Sequence, residues 1–278
     1  MRYTLFVVFI SIVLSSCSDN NEPMPDVCSQ VTEITNGKSD FRNIFYDDYG
    51  RAIKYVAIVP DGNITSTYSY HGNDMIKIHT EVITYGLFDN EDVIREYDDE
   101  MYLENGQARY CDGIFTTNQL GHGSIFQKKY RHEFLYSSDN HLNVIKNTEW
   151  NKRGDSWAYD KPWSWDNYYK WENNNLITVE NYAGKKVPTY IYKYTYSSIS
   201  GVQNILPIHL DRFQYYPLQL KGYFGAEPEN LIIGIEQIRP GAPVSEALYR
   251  YTINDNIITN YVETRDGVDD DYIVDWTQ

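Results

Sequence analysis

Tyr190, Tyr192, Tyr194 and Tyr196 occupy alternate positions, with Ile191, Lys193 and Thr195 between them. A period of two places all four rings on one face of an extended strand and the intervening residues on the other. The same alternation of aromatic and β-branched residues runs through most of the chain in short stretches separated by Asn, Asp and Gly. No stretch of ten or more residues carries a convincing 3.6-residue period, so hairpins rather than helices are expected. The expected fold class is all-β: an antiparallel hairpin meander forming a curved or barrel-like sheet, with little helix. With 42% apolar and 15% aromatic residues the chain has material for a core, which excludes a disordered protein.

The hairpin candidates share a shape. Tyr46 to Ile53, Tyr70 to Ile76, Tyr102 to Gly106, Tyr136 to Leu142, Trp171 to Leu176 and Tyr251 to Ile257 each set an aromatic before a polar turn and lead into an aliphatic position. Asn, Asp and Gly accept the positive φ of tight turns, and the flanking aromatic and aliphatic residues can meet across two strands. This reads as a degenerate internal repeat of two strands per unit, too irregular in spacing for a propeller or solenoid. Two segments interrupt it: Gly201 to Leu210 and Tyr215 to Glu229, with Pro207, Pro217, Pro228, Gly222 and Gly225, read as loop with a short helical turn. The last strands are expected at Leu231 to Ile238, Leu248 to Ile253 and Ile257 to Thr264.

The N-terminus has a different character. Arg2 precedes the apolar run Leu5 to Leu14, interrupted only by Ser11, which is too short to span a bilayer and fits the core of a signal peptide. It leads into Leu14-Ser15-Ser16-Cys17, which resembles the bacterial lipobox, whose Cys is acylated and becomes the new N-terminus. The resemblance implies a signal peptide at 1–16, lipidation of Cys17, a polar tether at 17–27 and one all-β domain at 28–278. Acyl chains anchor by burying CH₂ groups at about 0.8 kcal/mol each, so no transmembrane helix is needed. The tether is also similar to the acidic export signals of surface lipoproteins in Bacteroidetes. With Cys17 lipidated, Cys28 and Cys111 remain as an even pair in an exported chain, a candidate disulfide whose alternative is two buried thiols.

The aromatic, turn, aliphatic unit is similar to the tyrosine-aspartate repeats of Rhs-type proteins, although far less regular. A closer resemblance is to a family of Bacteroidetes lipoproteins of unknown function with a porin-like fold. It is carried by Cys17, by the Tyr and Asn-Gly hairpins, and by Tyr192 to Tyr196, Asn204-Ile205-Leu206-Pro207, Tyr223-Phe224-Gly225 and Asn230-Leu231-Ile232. It implies an outer-membrane lipoprotein, on the cell surface or the periplasmic face, with a barrel-like antiparallel sheet, and it transfers no catalytic residue. A membrane-spanning barrel is disfavoured, because Lys77, Lys193 and Arg250 fall within the strands where a lipid-facing band would lie.

Chemistry is sparse. Thirty-nine acidic against 24 basic residues give a net charge of −15, which excludes nucleic acid as a partner. None of the six His stands in a metal-ligand motif, and no cofactor is expected. Gly121-His122-Gly123-Ser124 lacks the frame of a nucleophile turn. Asp266 to Asp271 gathers four carboxylates, but its spacing is not that of an EF-hand and a solvated acidic turn is expected. The stretch from Trp157 to Trp171 holds four Trp, and Trp157, Trp163, Trp165 and Trp171 beside Asp and Asn are the candidate ligand-binding residues, since flat rings stack on sugars. The alternative is that they fill the concave side of the sheet. The leading functional reading is a non-enzymatic binding module, for glycan. Its alternatives are an assembly lipoprotein contacting another envelope protein and a glycan hydrolase for which no catalytic residue stands out.

Overall fold

Turns fall where Asn, Asp and Gly predict them. In the computed structural model, which describes residues 30–88, 91–119, 125–159, 164–210 and 212–277, Asn105, Asn140, Asn173, Asn174, Asp255, Asn256 and Asp266 adopt positive φ. These side chains tolerate that region better than others. Between the turns run seventeen strands: β1 (Gln30–Thr35), β2 (Phe41–Tyr46), β3 (Ala52–Val59), β4 (Gly62–His71), β5 (Met75–Phe88), β6 (Glu91–Glu104), β7 (Gln107–Gln119), β8 (Ile125–Tyr136), β9 (Leu142–Arg153), β10 (Ser156–Tyr159), β11 (Trp165–Glu172), β12 (Asn175–Tyr182), β13 (Tyr190–Ser200), β14 (Asn230–Ile238), β15 (Ser245–Asn254), β16 (Ile257–Arg265) and β17 (Val268–Thr277). A 3-10 turn at Phe213–Tyr215 runs into α1 (Tyr216–Leu220), a single helical turn with Pro217 near its start, where a missing N–H costs nothing.

Each strand pairs antiparallel with the next except at β10 and β11, and β1 pairs with β17, so the sheet closes. β10 and β11 both lie along β9, one after the other, and share one place in a barrel of 16 strands. Closure removes the exposed sheet edges that an open meander would leave. The closing strand β17 corrects the reading of Asp266 to Asp271 as an acidic turn. Only Asp266 and Gly267 form the turn, while Asp269, Asp270 and Asp271 are strand residues preceding the alternating Tyr272, Val274 and Trp276.

The internal repeat has a structural meaning. At the end of the barrel where β2 turns into β3, the aromatic before each turn points inward. Its polar tip donates to a backbone carbonyl near the start of the strand before it: Tyr46 to Val31, Tyr70 to Ala52, Tyr136 to Ala108, Trp171 to Leu142, Tyr196 to Leu176, Tyr251 to Ile232 and Trp276 to Ile258. The residues that accept these bonds are essentially fully buried. A one-residue register shift at or beside the aromatic, as at Phe45/Tyr46, Lys170/Trp171 and Thr195/Tyr196, turns the ring toward the interior. The hairpin of β5 and β6 departs from the pattern. There Tyr102 lies outside, stacked on Tyr110, and Leu103 packs against the core instead. In the first copy the buried aliphatic is Ala52, and Ile53 is exposed.

The connection from β13 to β14 fills the barrel. Val202, Ile205, Leu206, Ile208, Leu210, Tyr215, Leu218, Leu220 and Phe224 are all buried and belong to the same core cluster as the inward residues of the wall. The turn content predicted for this segment is correct, but its position as an interior plug is decided by the barrel around it. The outer wall is charged at mid-strand: Lys77 pairs with Glu100 (3.0 Å), His79 with Asp98 (2.7 Å), Arg131 with Asp112 and Arg250 with Asp269 (2.8 Å). Strands of up to 14 residues are long enough to cross a bilayer, but the hydrophobic core faces in and these ion pairs lie outside at mid-strand, where a membrane barrel carries its apolar band.

Candidate functional site in the barrel mouth

The mouth is the end where β3 turns into β4, β14 into β15 and β16 into β17. Its floor is the crest of the plug, Pro207 to Leu210 with Arg212 and Phe213, and tyrosines of the wall hold it. Tyr169 Oη donates to the His209 carbonyl (2.7 Å), the His209 amide donates to Tyr194 Oη (3.1 Å), and Tyr190 Oη lies 3.0 Å from His209 Nε2. Tyr192 stacks on the His209 ring with centroids 4.2 Å apart. The alternate tyrosines of β13 therefore share the inward face that their spacing predicts, and they position the plug.

A second set of bonds holds the plug from the other strands. Tyr68 Oη donates to the Gln214 carbonyl (2.8 Å), and Gln214 Nε2 donates to Asp99 Oδ2 (2.9 Å). Asp99 Oδ1 accepts from Tyr130 Oη. Burial pushes the Asp99 carboxyl above its usual range, against the opposing pull of Tyr130, Gln214 and Arg212. Gly113 of β7 sits between these groups. A Cβ there would fall 2.2 Å from Asp99 Oδ1 and 2.3 Å from Tyr130 Cζ, so a side chain would break the pair.

Above the floor lies a cavity of about 710 Å³, within the usual range for small-molecule sites. Tyr55, Tyr192, Tyr249 and Phe213 supply rings, and the small inward residues Ala57 and Ala247 leave the space open. Phe213 is 63% exposed although it stands inside the mouth. Arg42, Arg95, Arg212 and Arg265 line this cavity against a single lining carboxylate among the described residues, Asp61. Arg42 and Arg95 stand in one cross-strand row through Ala57, Ile64 and Val82, so the period-two alternation that buries those three aims both arginines inward.

Two of the arginines have carboxylate partners: Arg42 forks onto Asp40 (3.2 and 2.9 Å) and Arg265 pairs with Glu263. Arg95 donates to the Thr84 hydroxyl (2.9 Å). The Arg212 guanidinium lies over the rings of Tyr97 (5.1 Å) and Tyr130 (4.5 Å), and its buried Nε has no hydrogen-bond partner. A neighbouring cavity of about 480 Å³ shares Arg212 and is lined by Tyr97, Phe115, Phe126 and Tyr130 beside the Lys128 and Glu149 pair. No motif marks the four arginines in the sequence, because Arg42, Arg95 and Arg265 occupy alternate positions on three different strands and Arg212 stands on the plug.

Of the four predicted Trp, the three among the described residues are not brought together. Trp171 faces inward, donates to the Leu142 carbonyl (2.8 Å) and stacks on His141. Trp165 also packs against the core, 5.5 Å from the His132 ring. Trp157 sits on β10 opposite Lys152, on the outer face, and Trp163 lies outside the described residues. Cys111 is a free, fully buried thiol that burial pushes well above its usual range, while Cys17 and Cys28, like Gly121 to Ser124, lie outside the described residues. Among the described residues no group of three or more His, Cys, Asp or Glu is placed to hold a metal. Asp269 of the acidic stretch is engaged by Arg250 and by Thr264 (2.6 Å).

Fold and mouth together define a closed, plugged antiparallel barrel with a ligand-sized cup at one end. A porin-like protein from Bacteroides vulgatus ATCC 8482 has the same fold, with a TM-score of 0.54 and 16% identity over 89% of this chain and 97% of that one. A porin-like protein from Bacteroides uniformis ATCC 8492 aligns over 90% of this chain and 95% of its own, at 15% identity and a TM-score of 0.47. The porin-like fold implied by the sequence resemblance is therefore found. No protein-family model and no curated protein matches the sequence.

Proposed function

We propose that this protein is a lipid-anchored outer-membrane lipoprotein whose barrel does not conduct but serves as a non-enzymatic binding module, with its ligand seated in the mouth. The observation that carries this reading is the asymmetry of the barrel. One end is closed by aromatic-to-carbonyl bonds and by the plug, and the other opens on a cavity of about 710 Å³ lined by rings and arginines. Glycan is the ligand class that rings beside hydrogen-bonding groups suit best. The charged outer wall supports attachment through Cys17 rather than through strands in lipid, and the barrel shared with the porin-like proteins fits an envelope setting. Titration with an oligosaccharide panel tests it: saturable binding that weakens at least about tenfold in Phe213→Ala or Tyr192→Ala is expected. Binding untouched by either variant moves the site out of the mouth.

A second reading has its own observation. Trp157, Tyr159 and Tyr168 are 37%, 57% and 39% exposed on the outer face of β10 and β11, a patch suited to contact with another envelope protein. Crosslinking from Tyr159 in intact cells to one defined partner is the expected result if that reading holds.

A further inference from the structure

Charge in the mouth runs against charge in the rest of the molecule. The chain carries a net −15, yet one cavity collects Arg42, Arg95, Arg212 and Arg265 with Asp61 as its one lining acid among the described residues. Arg42 and Arg265 are engaged by Asp40 and Glu263, which leaves Arg95 and Arg212 as the cations with no ion pair among the described residues. They stand close together. Arg95 is two residues from Tyr97 on the inward face of β6, about 7 Å along the strand, and Arg212 lies over the ring of Tyr97.

We infer that the mouth recognises a carboxylated saccharide, with the carboxylate received by Arg212 and Arg95 and the sugar ring lying against the aromatic side chains around them. The inference rests on the mouth being the binding site and names the chemistry of its ligand. The Arg212 guanidinium stands over the rings of Tyr97 and Tyr130, contacts that consume no N–H of the planar fork, whose edge binds carboxylates in pairs of hydrogen bonds. The Nε on that edge is buried and has no acceptor. Buried donors are nearly always satisfied, so an orphan beside a cavity marks the place of a missing acceptor. Asp99 lowers the cost of keeping Arg212 in the barrel from a distance but does not occupy the fork: its oxygens are taken by Tyr130 and Gln214. The smaller cavity continues from Arg212 into Tyr97, Phe115 and Phe126, whose rings lie 5.0 and 6.5 Å apart in sequence. A ligand anchored by its charge at Arg212 thus has an aromatic floor on which to lay a ring face.

The test uses the full chain purified in detergent and a matched pair of probes: oligogalacturonate and the same oligomer with its carboxylates methyl-esterified. Direct titration is expected to show the acid bound at least about tenfold more tightly than the ester, with affinity falling as salt is raised. Arg212→Gln and Arg95→Gln are each expected to lose at least about tenfold for the acid and little for the ester. Arg212→Lys, which keeps the charge and loses the fork, is expected to recover only part of that loss. Lys193→Gln, on the outer face of β13, controls for net charge and is expected to change nothing. Thermal melting of each variant separates lost binding from lost folding. Equal binding of acid and ester, weakened by Phe213→Ala, would overturn the carboxylate assignment and leave the mouth as a binding site. Preference for phosphorylated over carboxylated sugars would overturn it too. No saccharide of either kind bound up to millimolar concentration by a folded protein would overturn both the inference and the reading beneath it.

Discussion

Asp99 joins the wall to the plug, and its surroundings set a clear expectation. It is 2% exposed, bonded to Tyr130 and Gln214, and faces the charge of Arg212. Asp99→Ala leaves two donors and a buried guanidinium uncompensated, so a loss of about 3 kcal/mol is expected in denaturant unfolding, with Asp99→Asn losing less because it retains an acceptor. Glu227, on the returning limb of the plug, is a different case. Burial pushes its carboxyl up to about 8 from the usual 4.5, although Gln219 is within 3.5 Å. Between those two values the folded chain holds a proton that the unfolded chain has released, so stability falls as pH rises through that window and is level on either side. Glu227→Gln removes the proton difference. Its melting temperature is expected to lose the part of the decline that falls in that window, and an unchanged profile would place the decline in other groups.

The aromatic pins and the plug's exit act as elements. Each pin satisfies a buried carbonyl at the start of a hairpin, so Tyr136→Phe keeps the ring and orphans the Ala108 carbonyl. The expected cost is about 1 to 2 kcal/mol. Trp171→Phe, which also loses the stacking on His141, is expected to cost somewhat more. The two sites lie on neighbouring hairpins, and the sum of their single effects against the double variant measures whether the ring of pins acts cooperatively. The plug leaves the barrel at Gly225, with φ of 88° and an ideal Cβ only 2.4 Å from the Asn140 carbonyl oxygen. Gly225→Ala combines backbone strain with a clash against the acceptor of the Ala226 amide. A drop of about 2 kcal/mol or more is expected, together with faster exchange of the Ala226 and Ala108 amides, both of which bond across this junction.

At the scale of the whole molecule the polarity of the two faces decides what the barrel is for. Among the described residues, buried Tyr, Leu and Ile around a plug fill the barrel below the mouth, and the mid-strand ion pairs of the outer wall interrupt its apolar side chains where a lipid band would lie. The chain starting after Cys17 is therefore expected to stay soluble without detergent and to give no channel events in planar bilayers. Stable conductance steps, or a need for detergent, would reverse the assignment. The sequence reading disfavoured a membrane barrel on Lys77, Lys193 and Arg250, and all three lie on the outer face, exposed to solvent.

Local pattern determined the strands, the turns and the repeat, because the pleat has a period of two and positive φ falls to Asn, Asp and Gly whatever the rest of the chain does. It also determined that Tyr190, Tyr192, Tyr194 and Tyr196 share a face. Tertiary structure alone decided that the sheet closes through β17, that residues 201–229 turn inward to fill it, and that Trp165 and Trp171 are interior while Trp157 is not. It also assembled the mouth. Arg42, Arg95, Arg212 and Arg265 lie on distant segments and leave no local trace. Three of them meet because closure fixes which alternate face is inside, Arg212 joins them on the plug, and a property of the closed ring cannot be read from any one strand.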